Sequence, residues 1–270
     1  GTSGNLCWAN DNKTIFYTSN NPVTLLSEKI KRHTLGSDAK TDVVVYEEKD
    51  KTNYIGVEKS KDDQHIMIYS SATMSSEIYV LDANKPTGAF RSFQPRMKDV
   101  LYRVTPLADR FLITTNWNAK NFRLMECPFD KTGSENWKEV IGNRNDVLLQ
   151  GVEEFKDFIV LSERKDGLVK LRVRSLNDGK EHYVDFGEAA YMANFSTNVD
   201  YSSSVLRYSY TSMTTPGSVF DYDMNTHERK LMKQQEVVGG FDPKNYVTER
   251  IYAKAKDGTR VPISLVYKQG

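Results

Sequence analysis

The sequence has no hydrophobic run that approaches the ~18 residues needed to span a membrane. Its first residues also lack a basic segment followed by an apolar one, so no signal peptide is visible. Positive and negative charges nearly balance, since the chain has 37 Lys and Arg residues and 36 Asp and Glu residues. This balance gives no electrostatic reason to expect nucleic acid or a membrane surface as a partner.

Cysteine and histidine are scarce. Cys7 and Cys127 are far apart in sequence, and a chain of 270 residues does not need a disulfide to hold its core. We therefore expect two buried, reduced thiols, which fits a cytoplasmic protein. The four histidines are His33, His65, His182 and His227. None of them forms a His-x-x-x-His or Glu-x-x-His pair, so the sequence predicts no metal site and no cofactor.

Aromatic residues are plentiful, with 15 Tyr, 12 Phe and 3 Trp, and they favour strands. One pattern recurs five times: a turn containing Asp or Asn, a short apolar strand, a loop and an alternating strand. The apolar strands are marked by Ile15, Ile66, Phe111, Phe158 and Val205, at intervals of 51, 45, 47 and 47 residues. A four-stranded antiparallel blade takes ~40–50 residues, so the pattern predicts an all-β array of propeller blades.

Local patterns support strands throughout. In the segment from Leu168 to Arg174, apolar residues alternate with charged ones, as in a half-buried strand. Asp166-Gly167 and Asp257-Gly258 predict two-residue hairpin turns, and Asn177-Asp178-Gly179 suits a longer turn. No convincing amphipathic helix is present. The repeat has neither the Gly-His and Trp-Asp pairs of WD40 blades nor sialidase Asp-boxes, so these motifs leave the propeller subtype open.

The repeat divides the chain into five blades and a tail. The blades are expected at about residues 1–50, 51–99, 100–146, 147–191 and 192–240. After Gly239-Gly240 the pattern stops, and residues 241–270 read as a linker followed by a hairpin. Because a two-stranded hairpin is marginal alone in water, we expect it to be the start of a second, truncated domain. The first residues likewise read as the inside of a longer chain.

Three segments carry a specific resemblance. Residues 206–217 (LRYSYTSMTTPG) resemble the last-blade signature of oligopeptidase B, in the prolyl oligopeptidase family of serine peptidases. Residues 233–237 and 252–267 are similar to that family's crossing into its peptidase domain. The resemblance implies a seven-bladed propeller that caps an α/β-hydrolase domain, cleavage of peptides after Arg or Lys, and about five of the seven blades in this chain.

The catalytic machinery expected of such a peptidase is missing from the segment. A serine peptidase of this fold needs a nucleophile elbow of the form Gly-x-Ser-x-Gly, and none occurs. The resemblance implies that the catalytic triad lies beyond residue 270. We therefore predict no catalytic residues here and no activity of the segment alone.

Two pairs of adjacent acids, Glu47-Glu48 and Glu153-Glu154, are the candidate functional residues. Neighbours in a strand point to opposite faces, which argues against a shared proton and favours solvated positions. In a propeller that covers an active site, acids facing the channel would attract basic peptides. We therefore predict that some of these four residues line the substrate channel.

Three functional alternatives remain open. The first is the substrate-gating region of a serine oligopeptidase, whose partners are short basic peptides and its own peptidase domain. The second is a stand-alone propeller that binds peptide or protein without chemistry. The third, a carbohydrate-active propeller, would need the Asp-boxes that are missing. An arc of five blades also exposes strand edges. Three outcomes are open: the blades close into a tighter ring, two chains associate through the exposed faces, or the chain is part of a longer protein, which the sequence favours.

Overall fold

The structure is a computed structural model that describes residues 1–270. Apart from three short 3-10 turns, every regular element is a β-strand. These turns are Ala39–Thr41, Ser134–Asn136 and Pro243–Asn245. The prediction of an all-β chain without an amphipathic helix is confirmed.

The strands form five four-stranded antiparallel sheets and one two-stranded hairpin, and the strands of each sheet pair in chain order. Sheet 1 contains β1 (Thr2–Trp8), β2 (Thr14–Asn20), β3 (Ser27–Thr34) and β4 (Val43–Glu47). Sheet 2 contains β5 (Tyr54–Lys59), β6 (His65–Ser71), β7 (Ser76–Asp82) and β8 (Arg91–Gln94). Sheet 3 contains β9 (Tyr102–Pro106), β10 (Arg110–Thr115), β11 (Arg123–Pro128) and β12 (Lys138–Ile141).

Sheet 4 contains β13 (Val147–Glu154), β14 (Phe158–Lys165), β15 (Leu168–Ser175) and β16 (Glu181–Tyr183). Sheet 5 contains β17 (Tyr191–Phe195), β18 (Val205–Ser212), β19 (Ser218–Asp223) and β20 (Arg229–Gln234). The hairpin contains β21 (Tyr246–Lys254) and β22 (Arg260–Lys268). These are the four-stranded antiparallel blades that the repeat predicts.

The five apolar anchors all lie at the first or second residue of the second strand of a sheet. The turn before that strand differs from sheet to sheet. In sheets 1 and 2 the turn is long, with left-handed backbone at Asn12 (φ 54°) and Asp63 (φ 61°). In sheet 4 it is tight, since Phe155 N–H donates to the carbonyl of Phe158 at 2.8 Å. The blades therefore share one strand plan but differ in their turns.

Side-chain alternation places the core between neighbouring sheets. In β15, Val169, Leu171 and Val173 are buried and the residues between them are partly exposed. Each of three apolar clusters joins two consecutive sheets: sheets 1 and 2 around Phe16 and Ile66, sheets 2 and 3 around Phe111, and sheets 4 and 5 around Tyr208. Packing of sheet against sheet therefore holds the blades of each unit together.

Two compact units make up the chain. Residues 1–143 contain sheets 1 to 3, and residues 144–270 contain sheets 4 and 5 with the hairpin.

The two turns with an Asp-Gly sequence differ. Asp166 (φ 50°) and Gly167 (φ 79°) are both left-handed, as a two-residue hairpin turn requires. The same prediction is wrong for Asp257-Gly258. There Ala255 N–H donates to the carbonyl of Thr259, so three residues form the turn, and Gly258 alone supplies a positive φ, of 87°. A turn ending in a left-handed glycine is the three-residue alternative for the same dipeptide.

Candidate functional site

In sheets 2 to 5 the first strand is more buried than the fourth, whereas β1 in sheet 1 is mostly exposed. In β9, four of the five residues are buried, whereas all six residues of β20 are exposed. In the first unit, the Asn5 side chain on β1 bonds both backbone groups of Val57 on β5, at 2.8 and 3.1 Å. Because propeller blades surround a channel, we take the sheltered first strands as the inner strands of their units.

The predicted acids fall on different kinds of strand. Glu47 ends β4 and Glu48 follows it, so both lie at a fourth, outer strand. Glu47 is exposed, with its carboxylate 3.2 Å from Lys29 Nζ. Glu153 and Glu154 end β13, an inner strand, and both are partly buried. The channel role of all four residues stays a prediction, and their positions favour Glu153 and Glu154.

Glu48 is held in a polar cluster rather than in solvent, with its side chain 12% exposed. Its carboxylate accepts hydrogen bonds from Ser70 Oγ (2.5 Å) and Tyr46 OH (2.9 Å). Arg96 donates to Ser70 Oγ at 2.7 Å and lies 3.8 Å from Glu48. Burial would raise the pKa of Glu48, but hydrogen bonds from Ser70, the Asp50 backbone and Tyr46 lower it below its ordinary value. The ionised Glu48 therefore ties β4 to sheet 2.

Sequence reasoning missed two charged residues on inner strands, Glu58 on β5 and Arg103 on β9. Both side chains are exposed. Crowding by protein raises the pKa of Glu58, and the positive charge of Arg103 opposes that rise. Beside Glu58, Gly56 leaves room for Tyr69, whose hydroxyl occupies the space that a Cβ would take. The repeat marked only the strands after each Asp or Asn turn, so it gave no signal for Glu58 or Arg103.

A second buried carboxylate, Glu163 on β14, is 1% exposed. Arg144 donates to both of its oxygens, and Arg172 donates to Oε1 at 3.2 Å. Tyr183 OH donates to Oε2 at 2.8 Å. The buried charge is therefore compensated by two guanidinium groups, which is the condition under which buried carboxylates are stable.

A third carboxylate, Glu188, has a different environment. Its oxygens accept hydrogen bonds from the hydroxyls of Tyr210 (2.9 Å), Thr214 (3.1 Å) and Thr215 (2.6 Å). Burial would raise the pKa of Glu188, but hydrogen bonds from hydroxyls including Ser212 and Thr215 lower it. All of these donors lie within residues 206–217, the segment that resembles the family signature. The signature therefore fixes a loop of sheet 5 around Glu188.

The histidines and cysteines show no catalytic arrangement. His33 Nδ1 lies 2.7 Å from Asp42, and the His182 and His227 rings stack at 3.8 Å. No group of three or more His, Cys, Asp or Glu residues could hold a metal ion. Both cysteines are buried and unbridged. Burial raises the pKa of each to about 12, which leaves neither as a ready nucleophile.

The structure contains no helix that is long and apolar enough to cross a membrane.

Comparisons with known proteins place these features in a family. The model for the prolyl oligopeptidase N-terminal β-propeller domain matches residues 1–235. Dipeptidyl aminopeptidase BI of Pseudoxanthomonas mexicana is 43% identical, over 98% of this chain and 36% of its own length. Protease 2 of Moraxella lacunata is 29% identical, over 99% of this chain and 38% of its own length.

Solved structures agree with the sequence relatives. Oligopeptidase B from Trypanosoma brucei, in a closed form with covalently bound antipain, has a TM-score of 0.88 and 32% identity over 99% of this chain. Oligopeptidase B from Leishmania major has a TM-score of 0.88 and 28% identity over the whole chain. In both cases this chain spans 39% of the solved one. The chain belongs to the prolyl oligopeptidase family and is an N-terminal β-propeller domain of that family.

Proposed function

We propose that the chain is the non-catalytic propeller segment of a serine oligopeptidase, in which it gates the access of short peptides to the active site. The observation that carries the proposal is the match of the family's propeller model to residues 1–235. The sequence offers no nucleophile elbow, and its two thiols are buried. Chemistry is therefore assigned to a peptidase domain outside residues 1–270.

Residues 241–270 are proposed as a linker and the start of that peptidase domain, and residues 1–240 as the blades. The hairpin β21–β22 exposes apolar side chains on both strands, among them Ile251, Tyr252, Val261 and Val266. Exposed apolar strands of this kind need a covering partner. The relatives are long enough to supply one, since this chain spans 36–38% of the first two.

Gating is proposed to depend on residues of the inner strands. A closed propeller leaves a narrow channel, which would exclude folded proteins and admit short peptides. Glu58, Glu153 and Glu154 lie on inner strands, where negative charge would favour basic peptides. Cleavage after Arg or Lys follows from the likeness to oligopeptidase B and belongs to the same proposal.

The channel proposal is tested in the full-length enzyme with Glu153→Gln/Glu154→Gln. We expect kcat/KM for an Arg-containing peptide to fall several-fold, with little change for the same peptide carrying citrulline instead of Arg. Glu47→Gln, on an outer strand, is the matched control and should leave both values unchanged. Equal loss for both peptides, or no loss, would reject electrostatic selection by these residues.

A second activity is favoured by one observation, the 43% identity to a protein named dipeptidyl aminopeptidase. Such an enzyme needs a free amino terminus two residues from the cleaved bond, whereas an endopeptidase does not. Acetylating the amino terminus of an Arg-containing test peptide therefore separates the two. Retained cleavage supports the endopeptidase activity, and lost cleavage supports the dipeptidyl one.

Self-association is proposed for the segment when it is expressed alone. Leu6 and Trp8 on β1 are 52% and 40% exposed on the face that points away from sheet 2. Light scattering after size-exclusion chromatography should show species larger than 30.9 kDa. A strictly monomeric and soluble segment would instead favour the alternative of a stand-alone propeller that binds peptide or protein.

A cytoplasmic location is proposed for the parent protein. It rests on the two cysteines, which are buried and unbridged. Fractionation of source cells, followed by detection of the protein, tests it, and recovery in an exported fraction would overturn it.

A further inference from the structure

The hairpin touches sheet 4 at one turn. In the second unit, Arg250 on β21 donates from Nη2 to the backbone carbonyl of Asp166, in the turn between β14 and β15. Its Nη1 donates to Ser264 Oγ on β22 at 3.1 Å. One guanidinium group therefore holds both strands of the hairpin and the tip of sheet 4 together.

The backbone of the Asp166–Gly167 turn leaves space for the Arg250 guanidinium. Asp166 and Gly167 are left-handed, which exposes the Asp166 carbonyl, and Arg164 Nη1 donates to the Gly167 carbonyl at 3.1 Å. A Cβ at Gly167 would lie 3.0 Å from Arg250 Nη2 and 4.0 Å from Pro262 Cγ on β22. The absence of a side chain at Gly167 thus allows the hairpin to approach.

Around this contact the connection is loose. Gly239 and Gly240 have φ angles of 90° and 84°, and residues 228–245 are exposed. Glycine and open surroundings permit large backbone rotations in such a linker. The hairpin backbone is self-contained, since β21 pairs with β22 and with no other strand. A side-chain contact such as that of Arg250 can therefore fix the hairpin against the blade.

We propose that Arg250 is an anchoring residue that seats the hairpin on the Asp166–Gly167 turn, and that its release frees the hairpin to swing about Gly239-Gly240. The contact sets the orientation of whatever follows the hairpin relative to sheet 4. That this following part is a peptidase domain rests on the proposed function, whereas the anchor itself does not.

Hydrogen exchange of the chain, followed by mass spectrometry, tests the anchor. A two-stranded hairpin is only marginally stable without support, so its β21–β22 pairing should open more often once it is released. Arg250→Gln should therefore speed exchange in residues 241–254 by about tenfold, which corresponds to the loss of one charge-assisted hydrogen bond. Exchange in β15 should stay unchanged, because its core contacts remain. The matched control is Arg260→Gln, which removes a guanidinium on the same hairpin that stacks on Tyr252 at 4.1 Å and should have no such effect.

A double variant makes the test specific. Gly167→Ala alone should also speed exchange in the hairpin, because its methyl group displaces Arg250 and strains the turn. In the Arg250→Gln background, Gly167→Ala should add no further increase in the hairpin. Unchanged hairpin exchange in Arg250→Gln, or equal increases from Gly167→Ala in both backgrounds, would overturn the proposal. Neither result depends on peptide cleavage, so failure here is distinct from failure of the proposed function.

Discussion

Two carboxylates, Glu163 in sheet 4 and Glu188 just before sheet 5, are removed from solvent to different degrees and have different hydrogen-bond partners. Glu163 in sheet 4 is almost fully buried and is compensated by two arginines and a tyrosine. Glu188, just before sheet 5, is only partly buried and is surrounded by hydroxyl groups. Deep burial of a charge requires an opposite charge, whereas a shallow site can rely on neutral donors. The first cluster therefore stabilises a sheet, and the second shapes a loop.

The largest expected effect is at the deeper site. Glu163→Gln would remove the buried carboxylate that Arg144 and Arg172 share, although Arg172 keeps its ion pair with Glu181 at 2.7 Å, and we expect a loss of about 3 kcal/mol in unfolding free energy. Urea unfolding followed by circular dichroism measures it. Glu139→Gln is the control, since this exposed residue pairs with Arg123 at 3.2 Å and should change stability by about 0.5 kcal/mol or less. Similar losses of unfolding free energy in the two variants would contradict the claim that the two arginines compensate a buried charge on Glu163.

A smaller loss is expected at the shallower site. In Glu188→Gln the amide oxygen can still accept hydrogen bonds from Tyr210 and Thr215, so we expect a loss of about 1–2 kcal/mol. The same urea experiment provides the comparison with Glu163→Gln. If removing the charge costs more at Glu188 than at Glu163, the distinction between the two sites is wrong.

Removing one tyrosine hydroxyl at Glu163 and one at Glu188 tests how far each carboxylate depends on neutral donors. Tyr210→Phe takes one of the hydroxyl donors from Glu188 and should cost about 1 kcal/mol. Tyr183→Phe takes a donor from Glu163, where two arginines remain, and should cost about half as much. Thermal unfolding of the two variants side by side is sufficient. A larger effect of Tyr183→Phe would reverse the expected order.

The smallest expected effect is on how the unfolding free energy of the wild-type chain and of Glu188→Gln depends on pH. The folded-state pKa of Glu188 lies below its ordinary value of 4.5, because its hydrogen bonds outweigh burial. Its contribution to stability is therefore fully present above about pH 4.5 and is lost as the pH falls through the folded-state pKa. Between pH 5 and pH 3 the wild-type chain should lose more stability than Glu188→Gln. Parallel losses would show that Glu188 does not titrate as the geometry requires.

The blade repeat could be predicted because the second and third strands have clear patterns. Short apolar runs after Asp or Asn turns marked all five second strands. The fourth strands gave no such signal: β20 is exposed at every position and β16 has three residues. Strands without a buried face have no hydrophobic period, so only pairing in three dimensions reveals them.

The charged clusters were harder to predict, because their partners are distant in sequence. Glu48 meets Ser70 and Arg96, which are 22 and 48 residues further along the chain. One signal was available for Glu163. It lies in β14 after the run Phe158 to Leu161, which is apolar on both faces and therefore typical of a strand buried on both sides. A glutamate in such a strand should be buried and paired.

The chain is a propeller domain of the prolyl oligopeptidase family, and we propose that it has no catalytic activity of its own. The most direct test compares cleavage of a fluorogenic Arg-containing peptide by this chain and by the natural polypeptide that contains it, with and without a serine-directed inhibitor. We predict cleavage by the natural polypeptide, loss of that cleavage with the inhibitor, and no cleavage by residues 1–270. Cleavage by the isolated chain, or an inactive natural polypeptide, would contradict the account.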